Sequence, residues 1–152
     1  MTREVIKRQL EKLSLVYERF VISQSIFNIW AETFKDYNEK VFERAIDEAI
    51  KNEEYPPNIA TVNKYYRMIE AENRAIISKA KECYMRAISA LRIEKNVDEY
   101  KAYLQMINAA PREERMELAE NFSDMVVNYA NKATSEGKEL KSFIALIKEC
   151  SP

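Results

Sequence analysis

Glycine is nearly absent from this chain, and its scarcity constrains the fold more than any other feature. Gly137 is the one glycine among 152 residues. Because β-sheets need many tight turns, and tight turns favour Gly, Asn and Pro, a chain with one glycine is expected to be helical. A chain of this length can bury one core, or two smaller ones, without disulfides or metal ions. We therefore predict an all-α fold.

Four helical stripes follow one another in the first part of the chain. Their apolar residues recur at spacings of three and four, which is typical of helices with one buried face. The stripes contain Ile6, Leu10, Leu13, Tyr17 and Phe20; then Ile26, Phe27, Trp30 and Phe34; then Val41, Phe42, Ala45, Ile46, Ala49 and Ile50; and finally Ile59, Val62, Tyr66 and Ile69. The predicted N-caps are Thr2, Ser23, Asn38 and Asn58.

The stretch from Trp30 to Val62 holds the strongest stop signal of the chain. Pro56 and Pro57 end the third helix, since proline lacks the amide hydrogen that a continuing helix would use. These four short helices can bury their stripes against one another in a compact bundle. The residues predicted to form its structural core are Trp30, Phe34, Phe42, Ile46, Pro56, Pro57 and Ile59.

Beyond Asn58 no helix breaker appears until Asn96. The apolar stripe continues through Ile76, Ala80, Tyr84, Ala87 and Leu91, which predicts a long connecting helix. The alternative is a bend between residues 71 and 74, where the apolar face lapses. We expect an N-terminal helical bundle over residues 1–72 and a second helical block over residues 73–152.

Three further signals divide the second block. Asp98 is predicted to cap a short helix, Pro111 to occupy the first position of the next one, and Gly137 to end it. A last helix is expected to carry a stripe of Leu140, Phe143, Ile144 and Ile147. The sequence thus predicts six or seven helices in two blocks.

Several kinds of chemistry are missing from the sequence. The chain has no histidine, which is the commonest general base and metal ligand. A single glycine also excludes a phosphate loop of the Gly-x-x-x-x-Gly-Lys type and a dinucleotide-binding fingerprint. The two cysteines, Cys83 and Cys150, lack the spacing of a metal site and are expected to be reduced. We predict that the protein is not an enzyme and needs no cofactor or metal.

Charge is unevenly spread along the chain, although the formal net charge is −1. Residues 32–54 hold eight acidic and four basic side chains, whereas residues 63–101 hold nine basic and six acidic ones. This basic excess is small beside the six to ten phosphate contacts that are typical of DNA-binding proteins. We therefore expect weak or no direct DNA binding.

No run of about 18 apolar residues marks a transmembrane span. The N-terminus is charged and helical in pattern, unlike a signal peptide. These features predict a cytoplasmic protein that does not bind a membrane.

One stretch resembles a known family. Trp30, Phe34 and an Asp36-Tyr37 break precede a helix with Val41, Ala45 and Ile46 on one face, and Tyr55-Pro56-Pro57-Asn58-Ile59-Ala60-Thr61-Val62 opens the next helix. With the opening helix from Val5 to Phe20, this pattern resembles the N-terminal domain of phage-encoded replicative helicase loader/inhibitor proteins. The resemblance covers about residues 1–70.

The resemblance implies a small helical adaptor in phage DNA replication, acting in the bacterial host. Members of the family deliver a hexameric replicative helicase to an origin-bound phage protein and restrain its ATPase, and they have no nucleotide site of their own. The implied partners are a replicative helicase or a helicase-loading protein, and an origin-binding phage protein. In the family the C-terminal part engages the helicase, and the periodic pattern of residues 76–149 here predicts that this part is folded.

The candidate partner contacts are basic residues of the second block: Lys79, Lys81, Arg86 and Arg92. They are selected because exposed charges at the rim of an interface steer association. Two other functions fit the same sequence. One is an anti-repressor or an inhibitor of a host replication protein on the same fold, and the other is a DNA-binding regulator of replication or transcription.

Overall fold

The computed structural model describes residues 1–137 and Ala145. Within that part of the chain it contains six α-helices, one short 3-10 helix and no strand, so the predicted all-α class is confirmed. The helices are α1 (Arg3–Val16), α2 (Gln24–Phe34), α3 (Glu39–Asn52), α4 (Ile59–Leu91), α5 (Val97–Ala109) and α6 (Arg115–Ser135), with the 3-10 helix (Arg112–Glu114) just before α6. The predicted last helix around Leu140 lies outside the described residues.

Local capping explains where the first four helices begin. Thr2, Ser23, Asn38 and Asn58 precede them, and each side-chain oxygen accepts a hydrogen bond from the backbone N–H three residues further on. Such a bond satisfies one of the backbone donors that a helix leaves unpaired at its first turn. All four predicted caps of the N-terminal part are thus confirmed.

Two predicted starts in the second block are wrong by a few residues. The cap of α5 is Asn96, whose side-chain oxygen accepts from the Glu99 N–H at 3.0 Å, so Asp98 lies within the first turn. A carboxylate at that position faces the positive end of the helix dipole without capping it. Pro111 precedes the 3-10 helix, and α6 begins only at Arg115.

Two helices end differently from their sequence patterns. The first stripe extends to Phe20, but α1 ends at Val16 with Tyr17 in an extended conformation. α4 ends at Leu91, and Arg92 follows with a φ of +55°. Between residues 71 and 74, where a bend was the alternative, the backbone is helical. Gly137, with a φ of +68°, follows the end of α6 in the left-handed conformation that glycine adopts without strain.

The chain divides into two compact units, Met1–Glu72 and Asn73–Pro152. The core of the first unit is aromatic at its centre. Phe34 lies 4.8 Å from Phe42, 5.0 Å from Tyr37 and 5.5 Å from Trp30, measured between ring centroids. Such pairs contribute about 0.5–1.5 kcal/mol each beyond the burial of their area. The other large side chains buried with them are Ile6, Leu10, Leu13, Ile46 and Ile69.

The second unit has its own core, built from the later part of α4 together with α5 and α6. Its largest buried side chains are Tyr84, Tyr103, Leu91 and Ile107. The Tyr103 hydroxyl donates a 2.8 Å hydrogen bond to the Ala119 carbonyl, which satisfies a polar group at the centre of an apolar core. Burial raises the pKa of this phenol. Among the described helices, none is long and apolar enough to cross a membrane.

Candidate partner-binding surfaces

An apolar groove opens on the surface of the first unit. It has a volume of about 610 Å³ and is formed by the α1–α2 connection, α2, the α3–α4 connection and the first turn of α4. The residues that line it are Phe20, Ile26, Ile29, Trp30, Pro56, Pro57, Asn58, Ile59 and Ala60. None of these carries a charge. The side chains therefore present an uncharged surface on which apolar groups can be buried.

The sequence produces this groove through the two prolines and the cap that follows them. α3 ends at Asn52, and Pro56 and Pro57 lie outside any helix in the connection that leads to Asn58 and α4. The Asn58 side chain accepts hydrogen bonds from both the N–H and the hydroxyl of Thr61, at 2.8 and 3.0 Å. One wall of the groove is thus a rigid turn.

Tyrosine hydroxyls hold the α3–α4 connection in place. Tyr17 donates a 2.9 Å hydrogen bond to the Glu53 carbonyl, and Tyr65 donates a 2.8 Å bond to the Glu53 carboxylate. Burial raises the pKa of Tyr17, and the hydrogen bond to Glu53 raises the pKa of Tyr65. A phenol is protonated at neutral pH even without such a shift, so both hydroxyls act as donors, and they anchor the start of the loop that carries the prolines.

The residues predicted as structural core fall into two environments. Phe34, Phe42 and Ile46 are completely buried. Trp30 is 5% exposed, Pro57 is buried, and Pro56 and Ile59 are partly exposed. The last four line the groove. The residue that the sequence pattern missed is Ile29, which is 57% exposed beside Trp30. An isoleucine outside the apolar stripe of an amphipathic helix was the signal for it.

Lys79, one of the predicted partner contacts, is engaged within its own unit. Its ammonium group lies 2.5 Å from the Glu120 carboxylate, and the lysine side chain is only 28% exposed. The pair raises the pKa of Lys79 and lowers the pKa of Glu120. Lys79 therefore links α4 to α6, and its charge is partly balanced before any partner arrives.

Arg86 is also held by α6. Its Nη2 atom contacts the Asp124 carboxylate at 2.5 Å, and its Nε donates to the Ser123 hydroxyl at 3.3 Å. Half of the arginine side chain nevertheless remains exposed, so it is both a link between helices and a part of the surface. The geometry favours a structural contribution from Arg86 alongside any contact with a partner.

Lys81 and Arg92 occupy more open positions. Both are exposed, and no ion pair joins either of them to another described residue. On α4, Lys81 is flanked at a spacing of four by Ile77 and Met85, which are 49% and 43% exposed. Residues at this spacing share one helix face. The four predicted contacts thus do not form one cluster of free cations, and Lys81 lies in a mixed apolar and basic stripe.

Clusters of side chains that could hold a metal ion are absent from the described part of the chain. No group of three or more Cys, Asp or Glu side chains there is arranged to hold a metal ion, and the whole sequence has no histidine. Cys83 is 3% exposed, and burial raises the pKa of its thiol, which makes it a poor nucleophile. Cys150 lies outside the described residues.

The described residues therefore form an all-helical protein with an apolar groove on its first unit. The family model for the N-terminal domain of the gp39 family matches residues 1–63. This is the phage helicase loader/inhibitor family, and the match confirms the resemblance predicted from Trp30 to Val62. The matched residues make up less than half of the chain and include every residue of the groove. The family is one of non-catalytic proteins.

Comparison of the chain with curated proteins and with solved structures finds no match.

Proposed function

We propose that this protein is a non-enzymatic adaptor of phage DNA replication that binds a hexameric replicative helicase, or the protein that loads it, and thereby loads or inhibits the helicase. The family match over residues 1–63 is the observation that carries this proposal. The chain needs no nucleotide of its own for such a role. Its site of action is the cytoplasm of the bacterial host.

The second unit offers a surface for the helicase contact. The stripe of Ile77, Lys81 and Met85 on α4 combines apolar area with a positive charge. Because its helix is already folded, binding through it costs less ordering entropy than binding through a disordered tail. Arg92 extends the positive charge just beyond the end of α4, while the charges of Lys79 and Arg86 are shared with Glu120 and Asp124.

The direct test mixes the purified protein with its cognate replicative helicase and with the cognate helicase-loading protein. Association is measured by light scattering coupled to gel filtration, and the ATPase rate of the helicase is followed in parallel. We expect the adaptor to associate without needing ATP of its own. We also expect the ATPase rate of the helicase to change. If neither protein associates at low or physiological salt, the proposal is wrong, and only the family match over residues 1–63 still stands.

Charge-reversal variants locate the contact. Lys81→Glu should weaken the association and reduce its dependence on salt, because exposed interfacial charges steer encounter. Lys101→Glu is the matched control, since Lys101 is also an exposed lysine of the second unit but lies on α5. Equal effects of the two variants would remove the stripe on α4 from the proposal.

A further inference from the structure

The middle of α4, residues 70–75, contributes no buried side chain to a core. From Val62 onward, buried side chains recur along the rest of α4 at spacings of one to four residues, but none lies between Ile69 and Ile76. The positions on the buried face that fall between these two isoleucines are held by Glu72 and Asn73, and both are partly exposed. The apolar stripe of this long helix is therefore interrupted for more than one turn.

The two isoleucines that border this segment belong to different cores. Ile69 belongs to the core that contains Phe34 and Phe42, whereas Ile76 belongs to the core that contains Tyr84. Most of the stability of a protein helix comes from the packing of its apolar face, and a short helical stretch in water has little stability of its own. Residues 70–75 are therefore held in the helix by backbone hydrogen bonds far more than by packing.

An ion pair joins the first half of this segment to α3. The Arg44 guanidinium lies 3.7 Å from the Glu72 carboxylate, and the two side chains are 28% and 34% exposed. A partly exposed ion pair contributes little to stability. The pair thus fastens Glu72 to α3 but does not replace the apolar burial that residues 70–75 lack.

We propose that α4 opens locally at residues 70–75 while the cores on either side stay folded. The chain then alternates between one continuous helix and two shorter helices joined by an open turn. Local opening of this kind occurs where a segment has few buried apolar contacts and exposed backbone hydrogen bonds. The connection between the two units can thus open without either core unfolding. No partner takes part in this opening, so it does not depend on the proposed function.

Amide hydrogen exchange of the protein, followed residue by residue by NMR, measures the opening directly. Each backbone N–H of an α-helix bonds the carbonyl four residues earlier, so opening of residues 70–75 frees the amides of residues 71–78. We expect protection factors there that are at least about tenfold lower than those of residues 63–69 and 80–90. Equal protection along the whole of α4 would overturn the proposal.

A matched pair of substitutions tests whether the middle of α4 controls this exchange. Asn73→Ala raises helix propensity within the segment, and Ser89→Ala raises it by a similar amount at an exposed position of the same helix. Asn73→Ala should raise the protection factors of residues 71–78 by about two- to threefold and leave those of both cores unchanged. Ser89→Ala should leave residues 71–78 unchanged, because it lies outside the opening segment. Equal effects of the two substitutions on residues 71–78 would show that these amides exchange by global unfolding, which contradicts local opening.

Trypsin gives an independent measurement, because three exposed basic residues lie seven positions apart on α4. Arg67 and Lys81 lie beside buried residues of the two cores, whereas Arg74 lies in the middle segment. When opening and closing are fast, the rate of cleavage follows the population of the locally open form. We expect cleavage after Arg74 to be at least about tenfold faster than after Arg67 or Lys81, and to be slower in Asn73→Ala than in the wild type. Mass spectrometry of the early fragments identifies the sites, and cleavage after Arg67 or Lys81 that is as fast as after Arg74 would overturn the proposal.

Discussion

The hydroxyl of Ser123 donates a 2.7 Å hydrogen bond to the backbone carbonyl of Cys83. Ser123 is completely buried between α4 and α6, and its hydroxyl also accepts a bond from Arg86. A buried hydroxyl that both donates and accepts a hydrogen bond across two helices fixes the distance between them as well as their register. The basic surface of α4 in the second unit thus depends on a polar contact beneath it.

Ser123→Ala is predicted to destabilise the second unit by about 1 kcal/mol. The substitution removes one buried hydrogen bond and leaves the Arg86 Nε without that acceptor. Urea unfolding followed by circular dichroism measures the loss. Ser78→Ala is the control, because Ser78 is exposed on α4. Equal midpoints for wild type and Ser123→Ala would contradict a stabilising role for this bond.

Trp30→Ala is predicted to destabilise the first unit by about 3–5 kcal/mol, the range for removing a large buried aromatic side chain. Trp30 is 5% exposed and contacts both Phe20 and Phe34, with ring centroids 6.4 and 5.5 Å away. Thermal unfolding monitored by circular dichroism checks the loss, with Leu15→Ala as the exposed control. A melting temperature within a degree or two of wild type would show that Trp30 contributes little to the core.

The elements that sequence reasoning predicted well are those set by local interactions. The caps at Ser23 and Asn38 could be identified because each bond reaches only three residues along the chain. The end of α1 could not, since Tyr17 leaves the helix and its hydroxyl bonds the distant Glu53 carbonyl. A hydrogen bond of that kind depends on the packing of α1 against α3.

The predicted partner contacts show the same contrast between local and tertiary interactions. Exposed lysines and arginines could be chosen from the sequence, but the pairing of Lys79 with Glu120 depends on how α4 packs against α6. The groove could not be predicted from the sequence for a related reason. Trp30 and the two prolines look like core residues in the sequence, and only the approach of α2 to the start of α4 shows that they line a surface.

The ion pair of Lys79 and Glu120 predicts an acid-dependent contribution to stability. The hydrogen bond from Lys79 holds the pKa of Glu120 below its ordinary value. A carboxyl group of this kind stabilises the folded state above its unfolded pKa, and the contribution is lost as pH falls through the folded pKa. Glu120→Gln should therefore lower the urea midpoint near neutral pH and match the wild type in strong acid.

The control for this pair is Glu94→Gln, because Glu94 is exposed and has no ion pair with another described residue. Salt should shrink the effect of Glu120→Gln, since the carboxylate is about half exposed and is screened. A difference between wild type and Glu120→Gln that persists unchanged into strong acid would contradict this interpretation.

Cys83 is predicted to react slowly with thiol reagents in the folded protein. It is 3% exposed, and burial raises the pKa of the thiol, so both access and thiolate population are low. The experiment uses a Cys150→Ser variant, so that Cys83 is the remaining thiol, and follows its reaction with Ellman's reagent. Denaturant should accelerate the reaction to the rate of a free cysteine. An equally fast reaction in the folded protein would contradict the buried position.

Binding to duplex DNA is predicted to be weak and independent of sequence. Lys79 and Arg86 share their charges with Glu120 and Asp124, which reduces the basic excess of the second unit. Fluorescence anisotropy at about 0.15 M salt, where screening acts beyond about 8 Å, should show no tight complex. The salt dependence of any residual binding gives a second measurement. The logarithm of the affinity should fall with the logarithm of the salt concentration, with a slope of about −0.9 for each phosphate contacted.

We expect a slope that corresponds to only about two or three phosphates, because the exposed cations lie near Lys81 and Arg92. Lys81→Glu should then reduce the slope by about one, whereas nanomolar binding to one sequence would favour a DNA-binding regulator over an adaptor.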